Sequence, residues 1–231
     1  MIRRSVVALA AVLAFASPAL ASTINVTDNF NSGTQLSWTP NIWSPWTTAT
    51  GVYRATAPNN SPPTFSFVNY DVSGDFTVSA DMNGATDGGF VMRSIGGTAE
   101  VSLIVGGLGH TGSGVYWHES GNSNILDPNN AVLFSRGSTV NVKVVLTGNV
   151  FTAFLNNVQV SQHTYNGPNT HGYIGLYDFG SGGNTWVQSF DNFSLTFDDG
   201  RPSAVPEPAS LVLLGLGLAV AGRRMIKARS R

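Results

Sequence analysis

Val140-Asn141-Val142-Lys143-Val144-Val145-Leu146 is followed by Thr147-Gly148-Asn149 and then by Val150-Phe151-Thr152-Ala153-Phe154-Leu155. In the first arm the apolar residues at even positions alternate with Asn141 and Lys143. A period of two puts one face on a core and the other toward solvent, which is the pattern of a half-buried strand. The polar break is three residues long and a second apolar run starts at once. The spacing therefore predicts a hairpin over 140–155. Asn156-Asn157 predicts another tight turn, into Val158-Gln159-Val160.

The same alternation recurs upstream. Every second residue of Phe76-Thr77-Val78-Ser79-Ala80-Asp81-Met82 is apolar, and Val101, Leu103 and Val105 alternate with Ser102 and Ile104. No helical stripe interrupts these runs. Many of the 26 glycines fall between them, where turn conformations are needed. Near the end the phase changes. Trp186 and Phe190 occupy even positions, but Phe193, Leu195 and Phe197 are odd. A strand changes its buried face only through a bulge or bend, so one is predicted at Asp191-Asn192. The chain reads as an all-β antiparallel sandwich.

The order of motifs adds to this. Asp28-Asn29-Phe30 comes first, then Gly88-Gly89-Phe90-Val91-Met92-Arg93, then the 140–160 strands. Gly172-Tyr173-Ile174-Gly175-Leu176 and Phe190-Asp191-Asn192-Phe193 close the series. Over residues 28–197 this resembles a concanavalin A-like (laminin G-like) jelly roll. The resemblance implies a domain of the kind that binds or cleaves polysaccharides; fold alone does not choose between the two. It also implies a structural calcium ion near the chain ends, with Asp28 and Asp191 in the matching terminal strands and carboxylate oxygens suited to that ion.

Both ends of the chain read as targeting segments. Arg3 and Arg4 precede an apolar run from Val6 to Ala16, and Ala19 and Ala21 are small residues at the positions a signal peptidase reads. Residues 1–21 are thus a signal peptide, with Ser22 the first residue of the exported chain. At the other end Pro206-Glu207-Pro208 precedes an uncharged run from Leu211 to Gly222, then Arg223-Arg224 and a basic end. The run approaches the roughly 20 apolar residues of a spanning helix when its flanks are counted, and the basic end is expected to stay cytoplasmic. This tail resembles the PEP-CTERM sorting signal, although Met225 and Ile226 split its basic cluster. The resemblance implies passage through the inner membrane of a Gram-negative bacterium and processing by an exosortase. It also implies transient anchoring, release to the cell surface or matrix, and a link to exopolysaccharide and biofilm. The expected layout is signal peptide 1–21, sandwich 22–197, linker 198–204 and sorting segment 205–231.

Charge narrows the partners. Seven of the 12 Lys and Arg lie in the two end segments, but only one of the 13 acidic residues does. The exported part therefore carries five basic against twelve acidic residues, a formal charge of −7. Such a surface argues against nucleic acid and anionic lipid and suits neutral sugars. The chain has no cysteine, so an exported domain must rest on its own core.

Catalytic patterns are sparse. Glycoside hydrolysis needs two carboxylates flanking the bond. The chain has three glutamates, Glu100, Glu119 and Glu207; Glu207 lies in the tail, and the other two have no acidic neighbour within five residues. The four histidines show no metal-ligand spacing and read as exposed strand or loop residues. In Trp117-His118-Glu119, strand geometry puts Trp117 and Glu119 on one face and His118 on the other. Aromatic residues are the best lead, because flat rings stack on sugar faces. The expected ligand-binding residues are Trp43, Trp46, Trp117 and Tyr177. The expected function is a non-catalytic, polysaccharide-associated binding or structural module. A jelly-roll glycoside hydrolase is the alternative.

Overall fold

The computed structural model describes residues 21–41, 44–56, 64–107, 112–122, 124–179 and 188–202, and these contain strands, turns and loops but no α-helix. The strands are β1 (Ala21–Asp28), β2 (Trp38–Pro40), β3 (Trp46–Thr47), β4 (Arg54–Ala55) and β5 (Thr64–Ser73). They continue with β6 (Phe76–Asn83), β7 (Asp87–Ser94), β8 (Val101–Gly106), β9 (Val115–Glu119) and β10 (Leu126–Asn129). The last are β11 (Val140–Thr147), β12 (Val150–Leu155), β13 (Val158–Thr164), β14 (His171–Asp178) and β15 (Ser189–Pro202). Thr23–Gly200 form one compact unit. The other unit, Met1–Ser22 with Arg201–Arg231, lies almost wholly outside the described residues, and the apolar runs of the expected signal peptide and of the sorting segment are there. No helix among the described residues is long and apolar enough to cross a membrane.

Two sheets make the sandwich. One has six strands in the order β1-β15-β6-β11-β12-β13, and the other has seven in the order β10-β9-β8-β7-β14-β5-β2. Consecutive strands such as β5 and β6, or β14 and β15, belong to different sheets, which is the path of a jelly roll. The predicted hairpin is present, with β11 and β12 in register from Val142↔Leu155 to Thr147↔Val150. Asn156 and Asn157 both have positive φ (50° and 66°), as a two-residue hairpin turn requires.

The alternating residues face each other across the sandwich. Val78, Ala80 and Met82 of β6 and Val140, Val142, Val144 and Leu146 of β11 are buried from one side. Phe90, Leu103, Val105, Ile174 and Leu176 are buried from the other. In β15 the pairing with β6 shifts register between Asp191 and Ser194, and Asn192 has φ 50°. This bulge turns both Phe190 and Phe193 into the core, where each is 1% exposed. β15 also runs on to Pro202, so the strand takes in most of the stretch read as a linker, 198–204.

Along β9 and β10 the seven-stranded sheet meets β13 of the other sheet through polar contacts. His163 of β13 places Nε2 2.7 Å from Glu119 Oε1 and Nδ1 2.5 Å from Asp127 Oδ2. Asn129 Nδ2 donates to the Val160 carbonyl at 2.7 Å, and Trp117 Nε1 donates to Ser161 Oγ at 3.0 Å. His163 is thus buried, against the expectation of four exposed histidines. Its carboxylate partners lie 44 and 36 residues away in sequence, so no local spacing pointed to them.

Candidate functional site

The outer face of the seven-stranded sheet carries a second apolar cluster, built by Phe65, Phe67, Val91, Ile104 and Tyr177, with Tyr116 and Phe179 packed against it. An outer face should be polar if it only met water. Here the strand registers assemble two rows across five strands. The first is Tyr116–Ile104–Gly89–Tyr177–Phe65, from β9 through β8, β7 and β14 to β5. The second is His118–Ser102–Val91–Gly175–Phe67 along the same strands. At a strand spacing of about 4.8 Å, each row extends roughly 19 Å. Glycine makes room for the rings: a Cβ on Gly175 would come 2.9 Å from Phe67 Cδ1.

Above these rows lies an open groove of about 830 Å³. Phe65, Ile104, Tyr116, Tyr177 and Phe179 supply its apolar lining. Ser102, His118, Ser120, Thr98 and Asn41 supply polar groups around them. Among the described lining residues there is no Asp, Glu, Lys or Arg. Tyr116 and Phe179 are half-buried, whereas Phe65 and Tyr177 are only 9% and 7% exposed; with neutral hydrogen-bonding groups around them, such a surface suits an uncharged ligand.

Two buried acidic residues act electrostatically on the groove tyrosines, Asp87 on Tyr116 and both Asp87 and Asp178 on Tyr177. Asp87 and Asp178 are both 3% exposed. Burial pushes the Asp87 carboxyl up to about 7, with the Arg136 charge pulling it down. Burial, and then the Asp87 charge, push Asp178 up to about 8. The same two causes raise Tyr177. The Gln188 side-chain carbonyl accepts from the Asp87 backbone N–H at 3.2 Å, and its amide donates to Asp178 Oδ1 at 3.4 Å.

The residues singled out from sequence fare differently. Tyr177 lines the groove. Trp117 does not: it is fully buried, stacked on His163 at 5.7 Å and tilted against Phe151 at 6.0 Å. The predicted face split is correct, but Trp117 takes the core face and His118 the groove face. With no exposed ring face, Trp117 is corrected from sugar platform to core residue. Trp46 is half-buried against Tyr53 (4.9 Å) and Phe190 (6.2 Å), at the end of the core rather than in the groove. Trp43, Ala19, Pro206, Glu207, Pro208, Arg223 and Arg224 lie outside the described residues. Ala21 is the first residue of β1.

The calcium expectation does not fit the donors present. Asp28 Oδ1 accepts from the Phe30 N–H, and Oδ2 accepts from the Gln35 and Leu36 N–H groups and Trp38 Nε1, all within 3.0 Å. Four N–H dipoles directed at one carboxylate are the reverse of a cation site. Asp191 Oδ1 accepts the Asn192 N–H at 2.7 Å, holding the bulge. Among the described residues no group of three or more His, Asp or Glu side chains could hold a metal ion.

Residues 204–227 match the PEP-CTERM protein-sorting motif, so the chain carries an exosortase-type sorting signal. A search of curated proteins finds no match. Among solved structures, the chain is similar to a Bacillus subtilis protein with a galectin-like fold (TM-score 0.54, 10% identity, 74% of this chain and 94% of that one). It is also similar to a Bacillus licheniformis β-glucanase (0.52, 14%, 75% and 98%). A third is a sialidase, of which it spans 19% while 79% of this chain is covered (0.53, 13%). At these identities the likeness shows the fold: an all-β jelly roll of the type found in both carbohydrate-binding and glycosidase structures.

Proposed function

We propose that this protein is exported, cut at its sorting signal by an exosortase-type enzyme, and displayed at the surface or in the matrix of a Gram-negative bacterium. There it binds a neutral polysaccharide of the exopolysaccharide or biofilm material and does not cleave it. The observation that carries the reading is the pair of cross-strand rows beneath the groove, with Tyr116, Tyr177 and Phe65 in one of them. A site about 19 Å long matches an oligosaccharide laid across the strands better than a single sugar. Non-catalytic binding is favoured because cleavage needs two carboxylates at the bond, and the described lining residues hold none. Asp87 and Asp178 are buried and lie outside that lining.

A glycan array probed with the processed protein tests this. Neutral chains should bind, uronate-containing chains should not, and reducing ends should not accumulate during incubation. Binding confined to uronates, binding to nothing, or release of reducing ends would each overturn the reading.

A further inference from the structure

Asp87 is a buried acid that glycan binding does not itself use. It opens β7, and by strand alternation it shares the groove face with Gly89 and Val91. Its Oδ1 is buried and accepts no hydrogen bond. The position of a Cβ on Gly107 would be 3.4 Å from Asp87 Oδ1 and 3.2 Å from the Tyr116 hydroxyl, so carboxyl and phenol border one small space. Both Tyr116 and Tyr177 line the groove. The groups whose charges act around Asp87 are Tyr116 from β9, Tyr177 and Asp178 from β14, and Arg136 from the segment after β10. Gln188 touches only its backbone N–H.

A buried carboxyl in such surroundings is stable when neutral and needs a donor once ionised. On the groove side, the Tyr116 hydroxyl borders the same space and can supply one. We propose that Asp87 is a proton-operated switch beneath the groove: its neutral form leaves the Tyr116 and Tyr177 rings seated for a sugar, and its ionised form pulls Tyr116 out of that arrangement and weakens glycan binding. This rests on the groove being the glycan site. The direction is fixed by linkage. Neutral Asp87 is favoured in the folded state, so the binding-competent form prevails on the acid side of about 7 and is lost above it.

The test separates the switch from the ligand. In the ligand-free processed protein, the Asp87 side-chain carboxyl and the Tyr116 and Tyr177 ring signals are followed by NMR between about pH 5 and pH 9. All should move with one common midpoint near neutrality, and the ring movements should vanish in Asp87→Asn. With the neutral oligosaccharide that binds best on the array, wild-type affinity should fall several-fold between about pH 5.5 and pH 8.5, while Asp87→Asn stays flat. A carboxyl that titrates in the ordinary acidic range, rings that do not respond, or a pH profile unchanged in Asp87→Asn would overturn the proposal. Titrating rings without any glycan binding would leave the switch standing and remove the groove function instead.

Discussion

Replacing Trp117 with alanine is expected to cost about 3–5 kcal/mol of stability, the range for truncating a large buried aromatic side chain. The indole is fully buried, packs on His163 and Phe151, and donates to Ser161 across the sandwich. Its loss opens a cavity where the two sheets are joined and leaves the Ser161 hydroxyl without its donor. Trp117→Phe keeps most of the volume and removes the N–H, so it should cost about 1–2 kcal/mol. Urea denaturation measures both. Below the transition, glycan affinity should stay at the wild-type level. Wild-type stability combined with lost binding would return Trp117 to the role of a sugar platform.

The second large effect is a fall in stability from acid toward neutral pH. Asp87 and Asp178 have folded-state values of about 7 and about 8, raised above the ordinary carboxylate value of 3.8. A raised folded value means that the native state holds the proton more tightly than the unfolded chain. The associated stability is complete below about 4 and is lost as pH rises to 7 and 8. Within that window each carboxyl removes up to about 1.4 kcal/mol per pH unit. Thermal midpoints should therefore drop between about pH 5 and pH 8 and level off above. Asp178→Asn keeps an oxygen for the Gln188 amide and removes the charge, so it should stabilise the protein at about pH 8.5 by roughly 2 kcal/mol or more and flatten the profile. A midpoint that rises over the same interval, or an Asn variant weaker than wild type at pH 8.5, would contradict the buried-acid account.

Local patterns in the chain revealed local structure. The hairpin over 140–155, the Asn156-Asn157 turn and the bulge at Asp191-Asn192 each follow from a few adjacent residues, and each is present. The split of Trp117 from His118 was legible for the same reason. Which face met the core was not, because a period of two says only that the faces differ. The groove was harder. Its rows join Tyr116, Ile104, Tyr177 and Phe65 from four strands, and only the register of paired strands brings them together. One signal was available: Val101 to Val105 is apolar except at Ser102, and a near-continuous apolar strand implies a covering on both faces. Trp46 sits among prolines and threonines in sequence, yet Tyr53 and Phe190 half-bury its ring. The partners of Asp28 illustrate the same limit. Its donors at Gln35, Leu36 and Trp38 come from a loop folding back, which no motif announces.

The most direct test of the groove as the glycan site is Ser120→Trp. Ser120 is exposed on the groove rim, so a large side chain there obstructs the channel without entering the core. Affinity of the processed protein for its best neutral oligosaccharide is measured by titration calorimetry, with the thermal midpoint as control. The expected result is loss of at least about 2 kcal/mol of binding, some thirtyfold or more, with a midpoint within a few degrees of wild type. Wild-type affinity in a folded Ser120→Trp protein would place the sugar elsewhere and contradict the account.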